Sequence, residues 1–167
     1  LLANEYIASV RELLGDEAAA LVIPPLDTSL NGFESIGAAQ LSVSTVAVAR
    51  YEEDSLYAAQ KALEDPARRL AIIGCDGTGR GCLNFFVTNF GRRAFRRALD
   101  DEERQRWVSI GQEAISAYES FDKGVAFVIS GMLQSPNFLY RTESGVPDSA
   151  QPDRAVIKGT QMATRLS

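Results

Sequence analysis

Apolar residues recur along this chain at helical spacing. In "NEYIASVRELLG" the residues Tyr6, Ile7, Val10, Leu13 and Leu14 fall on one face, which predicts an amphipathic helix, and Gly15 stands where a left-handed terminating residue is wanted. Residues 24–40 collect Pro24, Pro25, Asn31, Gly32 and Gly37 without sustained periodicity and read as an extended surface loop. A second helix is expected from Ser44 to Ala62, with Tyr51, Leu56, Tyr57 and Ala58 as candidates for burial and Pro66 closing the region.

The second half repeats the pattern. "LNFFVTNFG" predicts a short buried helix ending at Gly91. Asp100, with Glu103 three residues on and acidic residues crowding the first turn, is the best-signalled helix start in the chain, because this spacing makes a capping box and suits the positive end of the helix dipole. In "FDKGVAFVISGMLQS" Asp122 is the expected N-cap, Val125, Phe127, Val128, Ile129, Met132 and Leu133 supply apolar content on most sides, and Pro136 stops the helix. Residues 143–153 form a linker-like break, and Arg154 onward starts one more helix.

These elements define an all-α protein, an irregular multi-helix bundle with long loops. The expected organisation is an N-terminal helical subdomain over 1–70, a glycine-rich cysteine loop over 71–82, a helical subdomain over 83–145, and a linker with the start of a further helical domain over 146–167. The two subdomains are expected to pack closely and meet near the cysteine loop. No internal repeat or low-complexity tract is present.

Composition narrows the chemistry. The chain has 167 residues, 46% of them apolar, enough for a real core, and its net charge of −5 argues against a protein that wraps nucleic acid. No apolar run reaches the roughly 18 to 20 residues of a membrane helix. Histidine is absent, which removes His-based triads, Cys/His zinc sites and the commonest general base at neutral pH. Serines lack a nucleophile elbow or a histidine partner, and neighbouring carboxylates such as Glu52 with Glu53 point in different directions on a helix. Nothing here specifies a catalytic residue.

"GCDGTGRGC", from Gly74 to Cys82, has the glycine spacing of a phosphate loop, but Arg80 replaces the lysine and Gly81 the Ser/Thr that such a loop needs. Two cysteines with six residues between them do not fit a zinc clip or a thioredoxin-type pair. A disulfide between Cys75 and Cys82 is the preferred reading, since the glycines let the loop bend back, and two separate thiols are the alternative.

In "FGRRAFRRALDDEERQR" the residues Arg92, Arg93, Arg96 and Arg97 are candidates for gripping an anion through guanidinium contacts. The plainer alternative is that they satisfy the end of the preceding helix and pair with acids, four of which follow at 100–103. Phe90 and Phe95 read as core anchors.

The segments "LLANEYIASVRELLG", "NGFESIGAAQLSVS", "FGRRAFRRAL", "MLQSPNFLYRTE" and "MATRLS" resemble, in that order, signature segments of planctomycete-type and myxobacterial multidomain secreted proteins. Those proteins are built from tandem domains of unknown function, numbered fifteen eighty-seven, fifteen ninety-five and fifteen ninety-two, and are often joined to a cytochrome c module. The most specific pieces are Phe90 to Arg97 with Leu99, and Leu133 to Arg141 with Glu143. The resemblance implies export, to a periplasmic, cell-surface or extracellular location, which suits a Cys75–Cys82 disulfide. It also implies redox-linked partners and the remaining domains of the same protein as neighbours. No cofactor is expected in these residues, and any haem would sit in another part of the full-length protein. This chain departs from the pattern at Leu2, where Thr or Ser is usual, and it stops at "RLS", where relatives continue. The implied role is a structural or interaction module of an exported multidomain protein. The alternatives are a fragment of a secreted polymer-degrading enzyme completed by other domains, and an anionic-ligand binding module.

Overall fold

The computed structural model describes residues 1–27, 44–140, 146–149, 151, 153–156, 159 and 162. Among them the order is α1 (Ala3–Leu14), α2 (Asp16–Ala19), α3 (Thr45–Glu64), α4 (Pro66–Ile73), α5 (Arg80–Ala94), α6 (Asp101–Tyr118), α7 (Phe121–Leu133) and α8 (Pro136–Leu139). Two short strands follow, β1 (Val146–Pro147) and β2 (Ala155–Val156), paired antiparallel with Val146 opposite Val156. The fold is all-α apart from that pair.

Helix α7 is the centre of the bundle. Its Val125, Ala126, Val128, Ile129, Met132 and Leu133 are all buried, the all-round apolarity of a helix enclosed by others. Its most extensive contacts are with α3 on one side and α6 on the other. The α6–α7 approach depends on Gly124, where a Cβ would come within 2.8 Å of the Gly111 carbonyl oxygen. One continuous apolar cluster runs from Tyr6 through Ala58, Phe86 and Ile129 to Phe138, so residues 1–70 and 83–140 share their core.

The helix starts follow local side-chain chemistry. Ser44, Asp65, Asp100, Ser120 and Ser135 each accept a hydrogen bond from a backbone N–H of the first turn, satisfying donors that the helix leaves orphaned. The Asp100–Glu103 capping box forms as its spacing predicts: Glu103 N donates to Asp100 Oδ1 at 2.8 Å, and Asp100 N to Glu103 Oε2 at 3.1 Å. Leu2 cannot cap α1 with its side chain. The missing acceptors come from elsewhere: Leu2 N donates to Glu5 Oε2 at 2.8 Å, and Ala3 N to the Asp27 carboxylate at 2.9 and 3.1 Å.

Several expectations need correction. Helices α3 and α7 do end just before Pro66 and Pro136 as expected, but each proline also opens the next helix, α4 and α8, from its N1 position, where its missing N–H costs nothing. The cap of α7 is Ser120, and Asp122 turns to another partner described below. Gly91 lies inside α5, which continues to Ala94, and the place of its Cβ is taken by Leu99. The glycine-rich stretch 71–82 is helical at both ends, leaving 74–79 as the connection, with Gly74 ending α4 at φ 77°. Gly15 ends α1 at φ 96° and ψ 172°, outside the left-handed helical well but equally closed to a side chain without strain. Tyr57 is 60% exposed, because Ser55, Ala58, Ala59 and Ala62 form the buried face of α3. Ala155 and Val156 are in a strand and not in the helix expected from Arg154; most of that segment, and the expected loop from position 28 on, lie outside the described residues.

Candidate functional site

The four candidate arginines lie at the C-terminal end of α5 and in the turn after it. Three are held by different parts of the same chain. Arg93 Nη2 donates to the Glu12 carbonyl at 3.0 Å, placing a cation at the negative end of α1. Arg96 reaches across two elements: Nη1 donates to the Phe138 carbonyl at 3.3 Å, Nη2 to Ser9 Oγ at 3.4 Å, and the guanidinium carbon lies 5.3 Å from the centre of the Phe138 ring. Its backbone is left-handed, at φ 58°, which costs a non-glycine residue energy and aims the side chain back toward α1 and α8.

Arg97 forms a two-pronged pair with Glu103, at 2.7 and 2.6 Å, and lies over the Phe95 ring. Hydrogen bonding to Arg97 holds the Glu103 carboxyl below its usual range, assisted by the Asp100 N–H and opposed by partial burial. The Arg97 guanidinium is correspondingly pushed up, chiefly by the hydrogen bond to Glu103. Arg92 is exposed and has no partner among the described residues. Phe90 and Phe95 are buried core anchors, and Phe95 meets the Trp107 ring at 6.3 Å between centroids.

Two further links were invisible in the sequence. Arg69 on α4 pairs with Asp122 on α7 through Nε, at 2.8 and 2.9 Å, and Nη2, at 2.7 Å. Charges 53 positions apart give no local signal. In the core, Ser55 Oγ and Ser130 Oγ lie 2.8 Å apart where α3 meets α7. Tyr6 is a third case: its ring packs on Tyr51 and Phe138, yet its buried hydroxyl has no hydrogen-bond partner among the described residues. Burial first, then Tyr51 and Asp54, push its pKa well above the ordinary tyrosine value, so it stays neutral.

Cys75 and Cys82 are joined in a disulfide with their Cα atoms 5.9 Å apart. The bond ties the end of α4 to the first turn of α5. On the loop-entropy account so small a ring contributes no more than roughly 2.5 kcal/mol, so it is a local staple. Among the described residues no group of three His, Cys, Asp or Glu side chains could hold a metal ion.

With this geometry in place, the comparisons with known proteins locate the links. Residues 1–65 match a family model described as PSD3, a protein of unknown function (DUF1587), and residues 82–143 match PSD5, a protein of unknown function (DUF1595). The chain carries these two domains of unknown function in tandem. No curated protein and no solved structure matches it. Arg93, Arg96, the Ser55–Ser130 pair and the α3–α7 packing all join the first matched segment to the second. The Arg69–Asp122 pair and the disulfide tie the connection between them to the second.

Proposed function

We propose that this chain is a structural and interaction module of an exported multidomain protein, in which the two tandem domains act as one rigid body that positions neighbouring domains. The observation that carries this reading is the use of the most distinctive charged segment: Arg93, Arg96 and Arg97 are spent on carbonyls, a hydroxyl and a carboxylate of the same chain. Side chains used in this way hold parts of the chain in register. The intrachain disulfide supports an oxidising, extracytoplasmic location, and among the described residues no helix is long and apolar enough to cross a membrane. A planctomycete or myxobacterial type of parent protein, and redox linkage through a cytochrome c module outside these residues, are the finer form of the proposal and rest on the sequence resemblance.

The competing reading as an anion-binding module centres on Arg92, the one arginine of the four without a partner among the described residues. Binding of an anionic polysaccharide separates the two. The structural reading predicts that Arg92→Ala with Arg93→Ala leaves any binding unchanged. Affinity that falls steeply with salt and disappears in that double variant would favour the anion-binding module.

A further inference from the structure

We infer that the Cys75–Cys82 bond is a reducible latch on the connection between the two domains, opened by a small dithiol while the helical core stays folded. Both cysteines are half-buried at the surface, and every residue between them, Asp76 to Gly81, is exposed. Neither flanking helix depends on the bond for its place. Helix α4 is anchored by the buried Ile72 and Ile73, and α5 by the buried Leu83 and Phe86. Gly74 N donates to the Leu70 carbonyl at 2.7 Å and closes α4 independently of the sulfurs.

The position of Cys82 favours opening. It is the third residue of α5, in a first turn whose N-cap Gly79 supplies no side-chain acceptor, so a developing thiolate there lies near the positive end of the helix dipole. A cysteine in that setting is a good leaving group, and a disulfide whose reduced form is stabilised in this way is the more easily reduced. In the exchange, a thiolate of the dithiol attacks the Cys75 sulfur and Cys82 departs as a thiolate. The second reagent thiol then attacks the mixed disulfide and releases Cys75. Two electrons pass to the protein, the reagent becomes a cyclic disulfide, and solvent protons complete the thiols.

The consequence lies at Arg80. It is exposed inside the ring, between Gly79 and Gly81, and it stands between the two matched segments, the second of which begins at Cys82. With the ring closed, Arg80 is held as the first residue of α5, in a helical conformation that a protease cleft does not accept. With the ring open, the uncapped first turn of α5 can fray, and the Arg80–Gly81 bond becomes available to an arginine-specific protease.

The test treats the intact chain with dithiothreitol without denaturant, traps thiols with iodoacetamide, follows helix content by circular dichroism, and exposes matched samples to trypsin. The latch predicts alkylation of both cysteines with the helix signal unchanged, and cutting at Arg80–Gly81 accelerated by at least about tenfold over the oxidised chain. The Cys75→Ser, Cys82→Ser double variant is cut at the fast rate with or without reductant, and Arg80→Gln removes the cut without affecting reduction. A bond that resists reduction until the helix signal is lost overturns the inference, as does a cut no faster in the reduced wild-type chain, whether or not the serine variant folds.

Discussion

Ser55 on α3 and Ser130 on α7 face each other across the core, 0% and 4% exposed, with their Oγ atoms 2.8 Å apart. Each hydroxyl is also tied within its own helix: Ser55 Oγ donates to the Glu52 carbonyl at 3.1 Å, and Ser130 Oγ accepts from Gln134 Nε2 at 3.2 Å. The pair sits where the first tandem domain meets the second, among Ala58, Ala59, Ala62 and Ala126. Small side chains let the two helices come close, and the paired hydroxyls fix their register. Ser55→Ala is expected to cost about 1 kcal/mol through the lost hydrogen bond. Ser55→Leu is expected to cost about 1–3 kcal/mol through overpacking. Urea midpoints at unchanged m-value check both, and a leucine variant as stable as wild type would show that the contact is loose.

Arg96 combines a strained backbone with a two-domain contact, so its replacements should separate the two effects. Arg96→Ala keeps the cost of φ 58° and loses the bonds to Ser9 and Phe138, for an expected loss of about 1–3 kcal/mol. Arg96→Gly loses the same bonds but relaxes the backbone, and is expected to be about 1 kcal/mol more stable than the alanine variant. Thermal unfolding of the three proteins should rank wild type first, glycine second and alanine last.

The Arg97–Glu103 pair predicts a pH dependence. The folded chain holds the Glu103 carboxyl below its reference value of 4.5, so the unfolded chain binds that proton more tightly. The stabilisation is therefore fully present above pH 4.5 and is lost as the pH falls through the lower, folded value. Glu103→Gln should be less stable than wild type at pH 7, and the gap should narrow on acidification below that reference value. Parallel stability curves for the two proteins would show that the pair contributes no linkage.

Tyr6 is expected to behave against the usual rule for buried side chains. Its hydroxyl is buried without a partner among the described residues, a deficit of about 1–3 kcal/mol. Tyr6→Phe should leave stability unchanged or raise it, whereas Tyr6→Ala should cost about 3–5 kcal/mol by emptying the space between Tyr51 and Phe138. A destabilised phenylalanine variant would reveal a partner for the hydroxyl in solution.

What was legible in the sequence was whatever is decided within one turn of chain. The apolar stripe of Tyr6, Val10, Leu13 and Leu14, the capping box of Asp100 and Glu103, and the apolar saturation of α7 all depend on neighbours a few positions away. The stops before Pro66 and Pro136 were legible, but the starts of α4 and α8 at the same prolines were not, because a residue that cannot continue one helix can open the next. Long-range partners left no trace. Asp27 capping α1, Arg69 reaching Asp122, and Arg96 reaching Ser9 and Phe138 each depend on the finished bundle. The arginine run was visible as a cluster of charge, but its use as an internal clamp emerges only once α1 and α8 are packed beside it.

The central claim is that the two tandem domains form one cooperative body, and native-state hydrogen exchange across a series of urea concentrations tests it most directly. Buried amides of Ala58 and Ala59 in α3 belong to the first domain, and those of Ile129 and Met132 in α7 to the second. The account predicts that all four converge on one unfolding free energy and one urea dependence. Exchange of the α3 amides through a separate opening that leaves α7 protected would contradict it.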